Sequence, residues 1–191
     1  IGLNSPVQAP ASGHQEEIQL NAKEKELYQF SSVALKDTED AWTKILKDYR
    51  RSYSPAKMVI FQQGIKTGCG VASSGTGPFY CGRDRKVYMD LSFYDTLLKE
   101  FGTKNNKFIL SYVISHEIGH HVQNELGILD EVNKQRARVS ESERNALTVR
   151  LELMADYLAG VVARYQQESG YLEDGDIEDA IQTAWSIGDD T

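Results

Sequence analysis

Residues 115–122 read Ser-His-Glu-Ile-Gly-His-His-Val, and within them His116, Glu117 and His120 stand in the spacing His-Glu-x-x-His. On an α-helix, residues four apart differ by about 40° in azimuth and about 6 Å along the axis, so His116 and His120 leave the helix on one face. Two imidazoles placed this way can reach one cation, and for Zn2+ the bond is about 2.0–2.1 Å. Glu117 lies about 100° round from His116, where a carboxylate can act on water at the metal without binding the metal itself. With 4 His in 191 residues, chance rarely produces this spacing. Two core or solvated histidines on an amphipathic helix is therefore the poorer account.

The flanking residues predict the helix. Phe108, Ile109, Tyr112, Val113, Ile114, Ile118 and Val122 recur at helical spacing, with Thr103, Asn105 and Asn106 as capping candidates before them and Gly127 after. The pattern predicts a helix of about five turns, buried along one side. Gly119 leaves room for the close approach of another backbone or of the metal site.

Two His leave a tetrahedral zinc short of a protein ligand. A later helix offers one: Ser140-Glu141-Ser142-Glu143 reads as a capping box, and Leu147, Leu151, Met154, Leu158, Val161 and Tyr165 form an apolar stripe ending before Gly170. Glu152 and Asp156 are again four apart on that helix. Glu152 is the expected third ligand, and Asp156 the expected acceptor for the free N–H of a ligating His, with His116 as its first partner. The reverse assignment stays open, since either carboxylate can bind zinc. So does a surface acidic pair matched with Arg144, Arg150 or Arg164.

A net charge of −7 and a pI near 5.1 argue against nucleic-acid binding, which needs a basic surface to release phosphate counterions. There is no run of about 20 apolar residues to cross a membrane. The chain is 40% hydrophobic, enough for one sizeable core and unlike two full domains. It opens on Ile1 rather than Met, as expected of a trimmed or processed form. Cys69 and Cys81 bracket a Gly/Ser-rich stretch and read best as a disulfide in an oxidising compartment, with free buried thiols the alternative.

Residues 1–15, rich in Pro, Ala, Ser and Gln, have a linker composition; residues 16–191 form the single expected domain. A first helix is expected over Glu16–Phe30. A second, capped by Thr38, would carry Trp42, Ile45, Leu46 and Tyr49 and end near Arg50-Arg51. Lys57–Phe61 and Lys86–Asp90 read as strands, and Gly64 through Gly82 as turn chemistry throughout. Ser92 caps a helix running to Gly102. A short charged helix is expected over Asp130–Val139, and Asp174 or Asp176 caps a last helix carrying Ile177, Ile181 and Trp185. This order predicts an α+β fold, mainly helical with a small β-sheet, in which the His-Glu-x-x-His helix packs against the carboxylate helix.

With both motifs placed, the chain resembles the bacterial neutral zinc metallopeptidases, within the zincins whose third ligand is a glutamate on a later helix. The matching stretches are Gly68-Cys69-Gly70-Val71-Ala72-Ser73, Gly77-Pro78-Phe79-Tyr80-Cys81, Val87-Tyr88-Met89-Asp90-Leu91, His116 through Asn124, Leu151 through Asp156, and Ala184 through Asp190. The resemblance implies a zincin fold and the ligand set His116, His120 and Glu152, with Glu117 as general base. It also implies an extracytoplasmic place in the cell envelope and, as in many members, a membrane anchor outside this chain.

The expected chemistry is hydrolysis of a peptide or protein substrate with one Zn2+ and a metal-activated water. Tyr112, Tyr157 and His121 are candidates to steady the oxyanion, and a strand at the sheet edge would align an extended peptide. The competing expectation is a zinc-holding adaptor or latent protease of the envelope, because structural and catalytic zinc share ligand types. A hydrolase acting on other bonds is the weaker third reading, for want of a phosphate- or sugar-binding pattern.

Overall fold

The computed structural model describes residues 21–73, 75–90, 92–93 and 106–168. The expected linker, the Thr103 and Asn105 caps, the body of the Ser92 helix and the last helix lie outside the described residues.

The first element is one long helix, α1 (Ala22–Asp48), where two were expected. Asn21 caps it: its side chain accepts the Glu24 N–H at 3.0 Å, and Glu24 reaches back to the Asn21 N–H at 2.7 Å. Thr38 does not start a second helix. Its hydroxyl donates to the Ala34 carbonyl one turn back (2.9 Å) and also meets the Ser115 hydroxyl at 3.1 Å, which satisfies a β-branched polar residue in mid-helix.

Five strands follow: β1 (Lys57–Phe61), β2 (Gly64–Thr67), β3 (Gly70–Ser73), β4 (Phe79–Cys81) and β5 (Lys86–Asp90). Of these, β1 and β5 match the expectation. β2, β3 and β4 occupy the stretch read as turns alone. β5 is the centre of a three-stranded sheet in the order β1-β5-β4, parallel to β1 (Lys57 opposite Lys86) and antiparallel to β4 (Tyr80 opposite Val87). β2 and β3 make a separate antiparallel hairpin, Thr67 opposite Gly70. A disulfide joins Cys69, in the hairpin turn, to Cys81, at the end of β4. Asp84 adds a second tie, accepting the Gly68 N–H at 2.7 Å and the Tyr88 hydroxyl at 2.7 Å.

Three helices complete the described chain: α2 (Asn106–Glu125), α3 (Ile128–Arg136) and α4 (Glu141–Glu168). The capping box expected at the start of α4 is formed, with the Glu143 carboxylate accepting from the Ser140 N–H (3.0 Å) and hydroxyl (2.7 Å). α3 starts two residues before its expected position and buries none of its residues. α2 departs from expectation in a way that matters: it is buried nearly all round, between α1, the sheet and α4. Ile109, Leu110, Ile114, Ile118 and Val122 pack with Trp42 and Leu46 of α1, Val87 and Met89 of β5, and Leu158 and Val162 of α4. Each such aliphatic side chain contributes about 1.5–3 kcal/mol on leaving water. The polar residues of α2 are thus carried into the interior and must find partners there.

Candidate metal centre

α2 and α4 approach closely because their contact is built of small residues. A methyl added at Gly119 would stand 3.0 Å from the carbonyl oxygen and 3.1 Å from the Cα of Ala155, so any side chain there would press on the α4 backbone. Glu152, three residues before Ala155, and Asp156, the residue after it, are thereby brought to His116 and His120.

The Glu152 Oε2 atom lies 3.3 Å from His116 Nε2 and 3.2 Å from His120 Nε2. A tetrahedral zinc with bonds of about 2.0–2.1 Å has ligand–ligand edges of about 3.3–3.4 Å. Two of the three donor–donor separations therefore already match one such ion, and all three donor atoms lie within 4.8 Å of one another. Two imidazole nitrogens and one carboxylate oxygen are also the donor types zinc takes. Among the described residues this is a cluster of three, with no fourth protein ligand.

The surrounding hydrogen bonds aim the ligands. Asp156 Oδ1 is 2.8 Å from His116 Nδ1 and accepts the Tyr112 hydroxyl at 3.1 Å, which leaves Nε2 of His116 to face Glu152. Burial alone would lower the His116 imidazole, but the Asp156 and Glu152 carboxylates outweigh it and raise it to about 10. Hydrogen bonds from the two imidazoles hold Glu152 well below the usual carboxylate range. A dication binds such a set by taking the place of the imidazole protons.

Glu117 is 7% exposed. Burial pushes its carboxyl up, opposed by His116 and His120, while Glu152 adds to the rise and the nearby backbone of Tyr80 on β4 lowers it. A buried carboxyl held above its ordinary value beside a metal site has the character of a proton acceptor and donor.

The structure thus brings His116, Glu117, His120, Glu152 and Asp156 together, with Glu152 rather than Asp156 at the shared point. Of the three candidate oxyanion donors, two are engaged in hydrogen bonds of their own. Tyr112 spends its hydroxyl proton on Asp156. His121 is fully buried, with Nε2 donating to the Ser54 carbonyl (2.6 Å) and Nδ1 accepting from the Tyr80 hydroxyl (2.9 Å); desolvation keeps it neutral by lowering its pKa. Tyr157 is 72% exposed and no hydrogen bond among the described residues orients it, whereas an oxyanion donor must be held in place. One residue not anticipated from the sequence belongs to the site: Gln123, fully buried, sets its Oε1 3.0 Å from His120 Nδ1. Its only sequence signal is the three-residue step from His120, which puts both on one helix face.

Comparison with known proteins agrees with this geometry. The family described as "Putative neutral zinc metallopeptidase" matches residues 2–191. The chain belongs to that family. It is 42% identical over 181 residues to the uncharacterized protein YpfJ of Escherichia coli K12, an alignment covering 95% of this chain and 63% of YpfJ. It is also 41% identical over 169 residues to the uncharacterized protein Rv2575 of Mycobacterium tuberculosis, covering 83% of this chain and 55% of that protein. The chain therefore spans less than two thirds of the length of these relatives. No solved structure matches it. No helix among the described residues of this family member is long and apolar enough to cross a membrane.

Proposed function

We propose that this chain is the catalytic domain of a zinc-dependent peptidase that hydrolyses peptide bonds in protein substrates. The observation that carries the reading is the placement of Glu152 Oε2 at tetrahedral-edge distance from both Nε2 atoms, beside the buried Glu117 and without a fourth protein ligand among the described residues. A closed structural site would fill that fourth position with protein.

Zinc held by this set supplies a Lewis acid for the scissile carbonyl and brings the pKa of water at the site toward about 7. Glu117 takes the proton from the attacking water and then delivers it to the leaving amine. Asp156, backed by Tyr112, keeps His116 presenting Nε2. β4 lies at an edge of the sheet and brings the Tyr80 backbone near Glu117, so an extended peptide added along that strand would pass close to the proposed general base. Of the two strands anticipated from the sequence, β5 is central and cannot serve this way. The Cys69–Cys81 disulfide supports an oxidising, extracytoplasmic setting, and the remaining length of the relatives leaves room for the envelope anchor expected outside this chain.

The adaptor alternative uses the same ligands without turnover. Zinc content by elemental analysis, followed by cleavage of an unfolded protein by wild type and Glu117→Gln, separates the two. The expected result is one equivalent of zinc in both proteins and an activity about 10²–10⁴-fold lower in the variant, the usual contribution of a general base. Equal activity in the two zinc-loaded proteins would contradict the role of Glu117, and a zinc-loaded wild type that cleaves nothing would favour the adaptor.

A further inference from the structure

Gln123 is a full primary amide on a core helix, completely removed from solvent. Burying it is costly unless both ends are bonded. Both are: Nε2 donates to the Leu151 carbonyl at 2.7 Å and Oε1 lies 3.0 Å from His120 Nδ1. The Leu151 contact fixes which way round the amide sits. A carbonyl oxygen only accepts, so the NH2 end must face Leu151, and the oxygen must face His120. An oxygen at that place requires a proton on Nδ1, which leaves the lone pair on Nε2, the nitrogen turned to Glu152. A reversed amide would favour the opposite tautomer and direct an N–H at the cation. Leu151 is also the residue that precedes Glu152, so the same side chain joins one ligand's ring to the backbone carrying another.

We propose that Gln123 is a positioning residue of the metal centre, selecting the ligating tautomer of His120 and pinning the α4 backbone beside Glu152. The inference rests on the proposed zinc site and assigns His120 the counterpart of what Asp156 does for His116. Here the partner is an uncharged amide, and its orientation is dictated from the opposing helix.

Two measurements test it. In the zinc-loaded wild type, imidazole 15N–1H correlation spectra should show His120 protonated at Nδ1, with that proton slow to exchange, and zinc on Nε2. A His120 protonated at Nε2 would overturn the proposal without any variant. Zinc affinity by chelator competition should fall about 10–100-fold in Gln123→Met. Gln123→Glu, which keeps an acceptor for Nδ1 but loses the donor to Leu151, should recover part of that loss. Val122→Ala, which opens a cavity in the same helix without touching His120, should lower stability and leave zinc affinity within about twofold of wild type. Equal affinity in wild type and Gln123→Met, or a loss in Val122→Ala as large as in Gln123→Met, would overturn the role of Gln123 while leaving the zinc site standing. A wild type that takes up no zinc would instead remove the site on which the inference rests.

Discussion

A single oxygen, Asp156 Oδ1, receives both His116 Nδ1 and the Tyr112 hydroxyl, so the orientation of one ligand depends on a side chain that need not touch the ion. Asp156→Ala is expected to weaken zinc binding about 10–100-fold in chelator competition. Asp156→Asn, which keeps an acceptor but not the charge, should lose less. Identical losses in the two would show that charge rather than orientation matters there. Far from the site, Glu39 gives a pH prediction. Burial raises its carboxyl above the ordinary value of 4.5, against the lowering effect of the Ala56 N–H, which donates to it at 3.0 Å. An acid with a raised folded pKa holds its proton more tightly when folded, so its contribution to stability is present at low pH and fades as pH climbs from about 4.5 through the folded value. Glu39→Gln keeps an acceptor for Ala56 and removes the titration. Its unfolding free energy relative to wild type should therefore improve from pH 4 to pH 7 in urea titrations; a relative value independent of pH would contradict the assignment.

Among the elements, the α2–α4 crossing decides whether a site exists. Gly119→Ala would set a methyl against Ala155 backbone atoms at 3.0 and 3.1 Å, and a backbone cannot step aside as a flexible side chain does. The expected cost is about 1–3 kcal/mol in urea unfolding, with weaker zinc binding because Glu152 moves with α4. Unchanged stability and affinity would mean the crossing is looser than described. Both helices were legible in the sequence because their apolar residues repeat at helical spacing and Ser140 and Glu143 form a true capping box. What escaped did so for identifiable reasons. Asp37-Thr38 carries the chemistry of a helix start, but a threonine can equally bond one turn back, and the buried Ser115 hydroxyl gives it a tertiary partner no local pattern reveals. The strands β2, β3 and β4 are three or four residues long and flanked by glycines, so their turns dominate the local signal and only pairing across the chain makes them strands. Within the site, the spacing of His116, Glu117 and His120 was readable. The choice of Glu152 over Asp156 and the part played by Gln123 depend on how two helices cross, which is a tertiary fact.

For the whole molecule, the sheet packs against the helical layer along β4 and β5. β4 is stapled through Cys81 to the hairpin turn at Cys69 and is tied to α2 by the Tyr80 hydroxyl, 2.9 Å from His121 Nδ1. α1, the sheet and α4 pack around α2 and bury it, so the helix that carries His116 and His120 is held from three sides. Such a frame makes the ligand positions a property of the folded domain rather than of the ion alone. Crystals of the zinc-loaded domain measured at the zinc absorption edge test this most directly. The account predicts one anomalous peak at about 2.0–2.2 Å from His116 Nε2, His120 Nε2 and a Glu152 carboxylate oxygen. A peak bound to Asp156 in place of Glu152, or zinc held only by residues outside this trio, would contradict it.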